Sequence, residues 1–106
     1  MKKSITETQL ILPSLMVLAS KQGYLTTSEL KSELRKRLTL HKNDVKKVSG
    51  NTSRFDKTVG NLISHRTLEQ YVKYVRDDRG RFLLKINRKG KQFIFASMVN
   101  YVNIND

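Results

Sequence analysis

The chain has 106 residues, with 21 Lys and Arg against 9 Asp and Glu, two His and no Cys. This length fits one domain, residues 1–106, with a modest core. The absence of cysteine excludes disulfide bonds and thiolate metal sites, and it suits a reducing cytoplasm. No apolar run reaches the roughly 18 residues of a membrane span. The net charge of +12 indicates an anionic partner. A nucleic acid is favoured over an anionic membrane surface.

The basic residues are concentrated in two stretches. Residues 31–57 carry nine basic and three acidic side chains, and residues 73–91 carry eight and two, so each stretch has a net charge of +6. The charges of all other residues sum to zero. A surface that only keeps a protein in solution is usually mixed in sign, so this distribution favours a nucleic acid as the partner.

The first third of the chain predicts two helices. The first covers about residues 9–21, with Pro13 in its first turn and Gly23 in a left-handed conformation after its end. We expect its buried face to consist of Leu12, Leu15, Met16, Leu18 and Ala19. A short extended piece follows at 24–25. Thr26 and Glu29 then form a capping-box pattern that opens a second helix over 27–38. Its predicted inward positions are Leu30, Leu34 and Leu38.

A third helix is predicted over 54–67, after a basic linker at 40–48. The linker is expected to hold a short helix near 43–47, ended by Gly50 and Asn51. Ser53 and Asp56 form a second capping pattern. Helical spacing places Phe55, Val59, Leu62 and Ile63 on one side and the polar residues on the other. Gly60 lies within this helix, where a close approach of another helix or of DNA would account for it.

The last third predicts a β-hairpin, 71–87, and a final helix from about 88 to 102. Phe82, Leu84 and Ile86 alternate inward along the second strand. Asp77 and Asp78 either weaken the positive field of the hairpin or initiate its turn, and the turn role is favoured. Gly80 occupies the left-handed position of the turn. The full order is α-β-α-α-β-β-α, a mainly α (α+β) arrangement that matches a winged helix-turn-helix domain.

This order and the charge distribution together predict a DNA-binding protein, nucleoid-associated if the source is prokaryotic. No enzymatic activity or cofactor is expected, since the sequence has no catalytic or metal-binding pattern. The helix 54–67 would read the major groove of double-stranded DNA, and the hairpin 71–87 would contact the backbone or the minor groove. Asn61 suits adenine, and Arg54 and Lys57 suit guanine or phosphate. The complete set of candidate DNA-binding residues is Lys46, Lys47, Arg54, Lys57, Asn61, Ser64, His65, Lys73, Arg76, Arg79 and Arg81.

The final helix and tail, 88–106, are apolar on almost every side. We expect Phe93, Ile94 and Ala96 to face the core. A second stripe is then left for a symmetric homodimer, formed by Phe95, Met98, Val99 and Val102. The alternatives are that this stripe covers the first helix or that it packs on a further domain.

Catalytic and metal-binding patterns are not found in the sequence. His41 and His65 are 24 positions apart and have no ligand partner at metal spacing. There is no glycine-rich phosphate loop and no Ser/His/Asp set, and no pattern indicates a small-molecule ligand.

Three segments resemble the N-terminal winged-helix domain of Mrr-type restriction proteins. They are LILPSLMVLASKQGYLTTSELKSELRKRLTL, SGNTSRFDKTVGNLISHRTLEQ and GRFLLKINRKGKQFI. The resemblance covers about residues 8–95 and does not include that family's nuclease domain. It implies a recognition helix opened by Arg54-Phe55 and a last helix entered through Asn87-Arg88-Lys89-Gly90. The chain departs from the family pattern at Glu69-Gln70-Tyr71-Val72, where a Gly-apolar step is usual.

The resemblance implies the target-recognition module of a restriction or defence system. Two other functions fit the sequence: a small stand-alone transcription regulator, and a protein-interaction adaptor whose basic face is incidental.

Overall fold

A computed structural model describes residues 5–21, 23–38, 47–49 and 52–105, with the backbone alone for 47–49 and 100–105. These residues form an α+β domain with four α-helices and a three-stranded antiparallel sheet. In chain order the elements are a 3-10 turn Thr8–Leu10, α1 Ile11–Ser20, β1 Leu25–Thr26, α2 Thr27–Arg37, β2 Lys47–Ser49, β3 Thr52–Ser53, α3 Arg54–Ser64, β4 Val72–Arg76, β5 Phe82–Ile86 and α4 Arg88–Asn105.

The buried face of α1 differs from the prediction. Ser14, Leu15, Val17 and Leu18 are buried, whereas Met16 is 48% exposed and Ala19 is exposed. Residues 10–19 are apolar on nearly every side, so their spacing does not fix which side turns inward. Gly23, as predicted, has a left-handed φ of +101°.

The cap predictions for α2 and α3 are confirmed. Thr26 with Glu29 and Ser53 with Asp56 each form a complete capping box, in which both side chains accept a backbone N–H. Leu30 and Leu34 are buried in the core, and Leu38, just beyond the end of α2, packs against it. The two helix starts are therefore fixed by local sequence alone.

The end of α3 was predicted three residues too late. The helix stops at Ser64 because the N–H groups of Arg66 and Thr67 turn back to the carbonyls of Ile63 and Leu62. This pairing is a Schellman motif, and Arg66 occupies its left-handed position with φ +55°. Glycine is the usual residue there, so Arg66 gives no sequence signal of the stop.

The prediction of a short helix near 43–47 is wrong for its last residue, Lys47. Lys47 begins strand β2, which pairs antiparallel with β3 across a register shift. Residues 39–46, Gly50 and Asn51 lie outside the described residues. Strands of three and two residues are too short to show an alternation, so no sequence pattern indicated them.

The sheet has the strand order β1-β5-β4, and β5 is central. Leu84 faces Leu25 on one side and Tyr74 on the other. Leu84 and Ile86 are buried, and Phe82 packs at the edge of the core, as the alternation predicted. Gly80 takes its predicted left-handed conformation, with φ +79°.

Helix α4 is entered through a tight junction with the hairpin. The Asn87 Oδ1 atom accepts the N–H of Gly90 at 2.9 Å, and its Nδ2 donates to the Gln70 carbonyl at 3.0 Å. Gly90 is buried, and a β-carbon there would lie 2.6 Å from Ile86 Cγ1. Only glycine therefore fits this position without a shift of the neighbouring chain.

The first half of α4 packs on the core and against α1. Phe93 and Ile94 are partly buried, as predicted, and the Phe93 ring lies 4.9 Å from the ring of Tyr71. Ala96 is exposed, so its predicted inward placement is wrong. On the helix Ala96 lies about 100° from the buried side centred on Phe93 and Ser97, because successive residues turn by that angle.

Candidate nucleic-acid interface

Helix α3 has one buried side and one open side, as its spacing predicted. Phe55, Val59 and Leu62 are completely buried, and Ile63 is nearly so. Because these four side chains seat the helix on the core, the opposite side is left at the surface.

The open side of α3 forms a shallow polar depression. Its volume is about 320 Å³, and its lining residues are Arg54, Lys57, Thr58 and Asn61. Thr58 Oγ1 donates to the Arg54 carbonyl at 2.9 Å. Arg54, Lys57 and Asn61 were predicted as site residues, and the structure brings them together. Ser64 is exposed at the end of the same helix.

A hydrogen-bonded clamp joins α2 to the beginning of α3. One Nη of Arg35 donates to Ser53 Oγ at 3.0 Å and to Asp56 Oδ1 at 2.8 Å. The guanidinium carbon also lies 5.1 Å from the centre of the Phe55 ring. Arg35 thus holds the capped start of α3 against α2.

The clamp also neutralises the single acidic residue of α3. Desolvation alone would raise the pKa of Asp56, but hydrogen bonds from Arg35 and Ser53 outweigh it and hold the pKa below its ordinary value. Asp56 therefore stays ionised at neutral pH, with its charge matched by Arg35. The open side of α3 is left with positive charge only.

The carboxyl end of α3 is tied to the beginning of the described chain. His65 Nδ1 lies 3.1 Å from both carboxylate oxygens of Glu7, and Thr67 Oγ1 donates to Glu7 Oε1 at 3.0 Å. His65, predicted to contact DNA, thus has a structural partner within the protein. Its ring remains exposed at the edge of the open side.

Two of the predicted hairpin arginines are bonded within the hairpin. Arg76 donates to the Gly80 carbonyl at 2.9 Å and lies over the Phe82 ring. Arg81 donates through Nε to Asp77 at 2.7 Å. Arg79 is exposed in the turn, and its side chain makes no hydrogen bond or ion pair with the described residues.

Asp77 organises the turn, as predicted, whereas the Asp78 side chain, predicted for the same role, makes no hydrogen bond with the described residues. Its carboxylate accepts the N–H groups of Arg79 and Arg81, both at 2.9 Å. The backbone hydrogen bond from Arg81, followed by that residue's side chain and the N–H of Arg79, lowers the pKa of Asp77 despite some desolvation. The turn is therefore held in one conformation at neutral pH.

The outer face of the hairpin carries a cross-strand pair of like charges. Lys73 on β4 lies directly opposite Lys85 on β5, and both side chains are exposed. Lys85 Nζ lies 5.6 Å from the centre of the Tyr24 ring, and no acidic side chain of the described residues pairs with either lysine. Directly opposed like charges destabilise a sheet, so an anion on this face would stabilise it.

The remaining predicted residues divide between exposed and undescribed positions. Lys46 lies outside the described residues, and of Lys47 only the backbone, in β2, is described. Phe95, Met98 and Val99 are exposed on α4, and the side chain of Val102 is not described.

Two residues of this surface were not predicted from the sequence. Thr58 lies beside Arg54 around the helix, so the spacing used for its neighbours could have found it. Arg35 could not be found in this way, because it is 18 and 21 positions away from its partners Ser53 and Asp56.

Among the described residues, no group of three or more His, Asp or Glu side chains is arranged to hold a metal ion. None of the described helices is long and apolar enough to span a membrane. No protein family model matches the chain, and no curated protein or solved structure is significantly similar to it.

Proposed function

We propose that this chain binds double-stranded DNA as a winged helix-turn-helix protein, with α3 in the major groove. The observation that carries the proposal is the polar side of α3. Arg54 and Lys57 flank Asn61 there, and neither cation has an acidic partner among the described residues. A surface helix seated by four buried apolar residues presents such a face as a rigid unit, and an α-helix fits the major groove.

The side chains of this face match the edges of base pairs. The Asn61 amide suits bidentate contact with adenine N6 and N7, and Arg54 and Lys57 suit guanine O6 and N7 or a phosphate. Ser64 supplies a hydroxyl at one edge of the face, whereas the Thr58 hydroxyl at the other edge is bonded to the Arg54 carbonyl. In this proposal Asn61 reads the sequence, and the two cations hold the helix in register.

The hairpin supplies the second contact, to the backbone or the minor groove. Arg79 and Lys73 are the candidates from the predicted set, because their charges have no partner in the described protein. Arg76 and Arg81 shape the turn that presents Arg79. The opposed pair Lys73 and Lys85 supports an anionic partner, since bound phosphates would remove its repulsion.

The salt dependence of binding to duplex DNA tests the proposal. With roughly five to eight phosphate contacts, log K plotted against log salt should fall with a slope of about −4 to −7. Replacing both Arg54 and Lys57 by Gln should make the slope shallower by up to about 2 if both touch phosphate. A slope near −1 for the wild type would exclude this interface and favour the adaptor function.

The biological role rests on the Mrr-type resemblance, which covers about residues 8–95. We propose a target-reading module of a restriction or defence system, with a stand-alone transcription regulator as the alternative. Selection of bound fragments from a random duplex library separates the two. A selected sequence that also occurs upstream of the protein's own coding sequence, and is bound there, would favour the regulator.

A further inference from the structure

The second half of α4 exposes an apolar stripe. Phe95 is 69% exposed, Met98 60% and Val99 38%. These residues recur at steps of three and four, so they share one side of the helix. The opposite side of the helix carries Phe93 and packs on the core. We call Phe95, Met98 and Val99 the α4 stripe. In the sequence, Val102 continues it.

The same part of the helix has no charge. Residues 92–105 contain no Asp, Glu, Lys, Arg or His, in a chain in which 28% of residues are charged. Two copies of a protein with a net charge of +12 repel each other over most of their surfaces. An uncharged apolar helix is where two such copies can approach with the least repulsion.

We propose that the α4 stripe pairs with the α4 stripe of a second copy, forming a two-fold symmetric dimer. A partner of opposite charge would be attracted to the basic surfaces and would gain nothing electrostatic from this helix. A second copy offers an apolar stripe of equal length, and a self-complementary contact closes at two chains.

The size of the stripe indicates a weak dimer. An 18-residue helix is about 27 Å long. Three or four apolar side chains from each copy, with their small polar neighbours, would bury on the order of 1,000 Å² in total, near the lower limit for specific interfaces. A dissociation constant of about 1–100 µM is expected for a contact of this size.

Sedimentation of the purified chain without nucleic acid tests the proposal, so its outcome is separate from that of DNA binding. The wild type should sediment as a dimer at about 100 µM, and the dimer should strengthen as salt rises because screening reduces the repulsion. Phe95→Glu should weaken the dimer at least tenfold. Ala96→Glu, which adds the same charge at an exposed position away from the stripe, should leave it nearly unchanged.

Two results would overturn the proposal. One is a wild type that stays monomeric at about 100 µM at both low and high salt. The other is equal dissociation of the dimer by Phe95→Glu and Ala96→Glu. Since Phe95 is exposed within one chain, its replacement should not unfold the domain, and a thermal melt of each variant checks this.

Single cysteines provide a second measurement, because the native sequence has none. Residues near a two-fold axis face their own copies, so a cysteine at position 95, 98 or 99 should form a disulfide-linked dimer under mild oxidation. Lys89→Cys, on a different side of the same helix, is the control. Equal cross-linking at position 89 and at the α4 stripe would contradict the predicted contact.

Discussion

Asp56 combines three functions at one position. It accepts hydrogen bonds from the backbone N–H of Ser53 and from the Arg35 guanidinium. Because Arg35 neutralises its charge, the open side of α3 has no free negative charge. These bonds favour the ionised carboxylate, which is why the pKa of Asp56 lies below its ordinary value even though desolvation opposes them. The fold is therefore linked to the protonation of this one residue.

The linkage has a defined sign. The pKa of Asp56 is lower in the folded than in the unfolded chain. The contribution of Asp56 to the free energy of unfolding is therefore complete above the ordinary Asp pKa of about 4. This contribution is lost as the pH falls through the pKa that Asp56 has in the folded chain. Asp56→Asn should cost about 1 kcal/mol of unfolding free energy at pH 7, and the difference from wild type should shrink towards pH 3.

Urea denaturation of both proteins between about pH 3 and 7 measures this difference. Asp78→Asn is the control, since the Asp78 side chain makes no hydrogen bond with the described residues. A gap between wild type and Asp56→Asn that stays constant over the whole range would contradict the assigned linkage.

Two glycines should respond in opposite ways to the same added methyl group. At Gly60 a β-carbon meets nothing within 4 Å of the described protein, so packing against another helix does not explain this residue. Gly60→Ala should stabilise the helix by up to about 1 kcal/mol. At Gly90 the β-carbon collides with Ile86 and with the Tyr71 carbonyl, and Gly90→Ala should destabilise by about 1–3 kcal/mol.

Thermal melts of both variants give the stability changes. DNA titrations of Gly60→Ala then test the proposed approach of α3 to the groove. A protein that is more stable but binds duplex DNA less tightly is the expected result. Unchanged affinity would mean that the backbone at Gly60 does not come close to DNA.

At the scale of elements, α3 and the hairpin have different roles in the proposed DNA binding. Asn61→Ala should lower the preference for one base pair by about 1–3 kcal/mol while affinity for scrambled duplexes changes little. Arg79→Ala should weaken binding to matched and scrambled duplexes by similar factors, because phosphates are the same in both. Equal losses on both duplexes for both variants would show that α3 is not the reader.

Elements with a strong local signal were predictable from the sequence. The capping boxes at Thr26 and Ser53 gave the starts of α2 and α3, and the alternation from Phe82 to Ile86 gave β5. For the site, the same helical spacing gave the shared face of Arg54, Lys57 and Asn61. In each case the signal lies within a few residues of the feature that it predicts.

Features that depend on distant residues were not predictable. The side of α1 that turns inward is chosen by its packing partners, which is why Met16 was misplaced. The bonds of Arg35 to Ser53 and of His65 to Glu7 join residues far apart in sequence. Strands β2 and β3 are too short to carry a pattern, and Arg66 ends α3 without the usual glycine.

At the scale of the whole molecule, positive charge exceeds what the fold neutralises. Glu33 lies within 4 Å of three cations, Lys21, Lys36 and Arg37, and the pKa of Glu33 is lowered because these three charges outweigh its desolvation. Because three cations share one carboxylate, much of the positive charge is not neutralised. The remaining lysines and arginines repel one another, and this repulsion destabilises the folded state.

Salt should therefore stabilise the protein while weakening its proposed binding to DNA. Raising NaCl from about 0.05 to 0.5 M should raise the thermal midpoint, because screening acts on a net charge of +12. Lys73→Thr should be more stable than wild type by about 0.2–1 kcal/mol at low salt and less sensitive to salt. A midpoint that falls with salt would show that attractive surface ion pairs dominate instead.

The central position of β5 has a consequence for the order in which the protein folds. Its neighbour β4 is separated from it by the short turn at 77–81, whereas its other neighbour, β1, lies 59 positions earlier at Leu25↔Leu84. Closing a short loop costs far less chain entropy than closing a long one. The hairpin can therefore form on its own, and β1 can join only after the helices have brought Leu25 close. During synthesis on the ribosome, β1 must wait without its partner until Leu83 and Leu84 have left the ribosome.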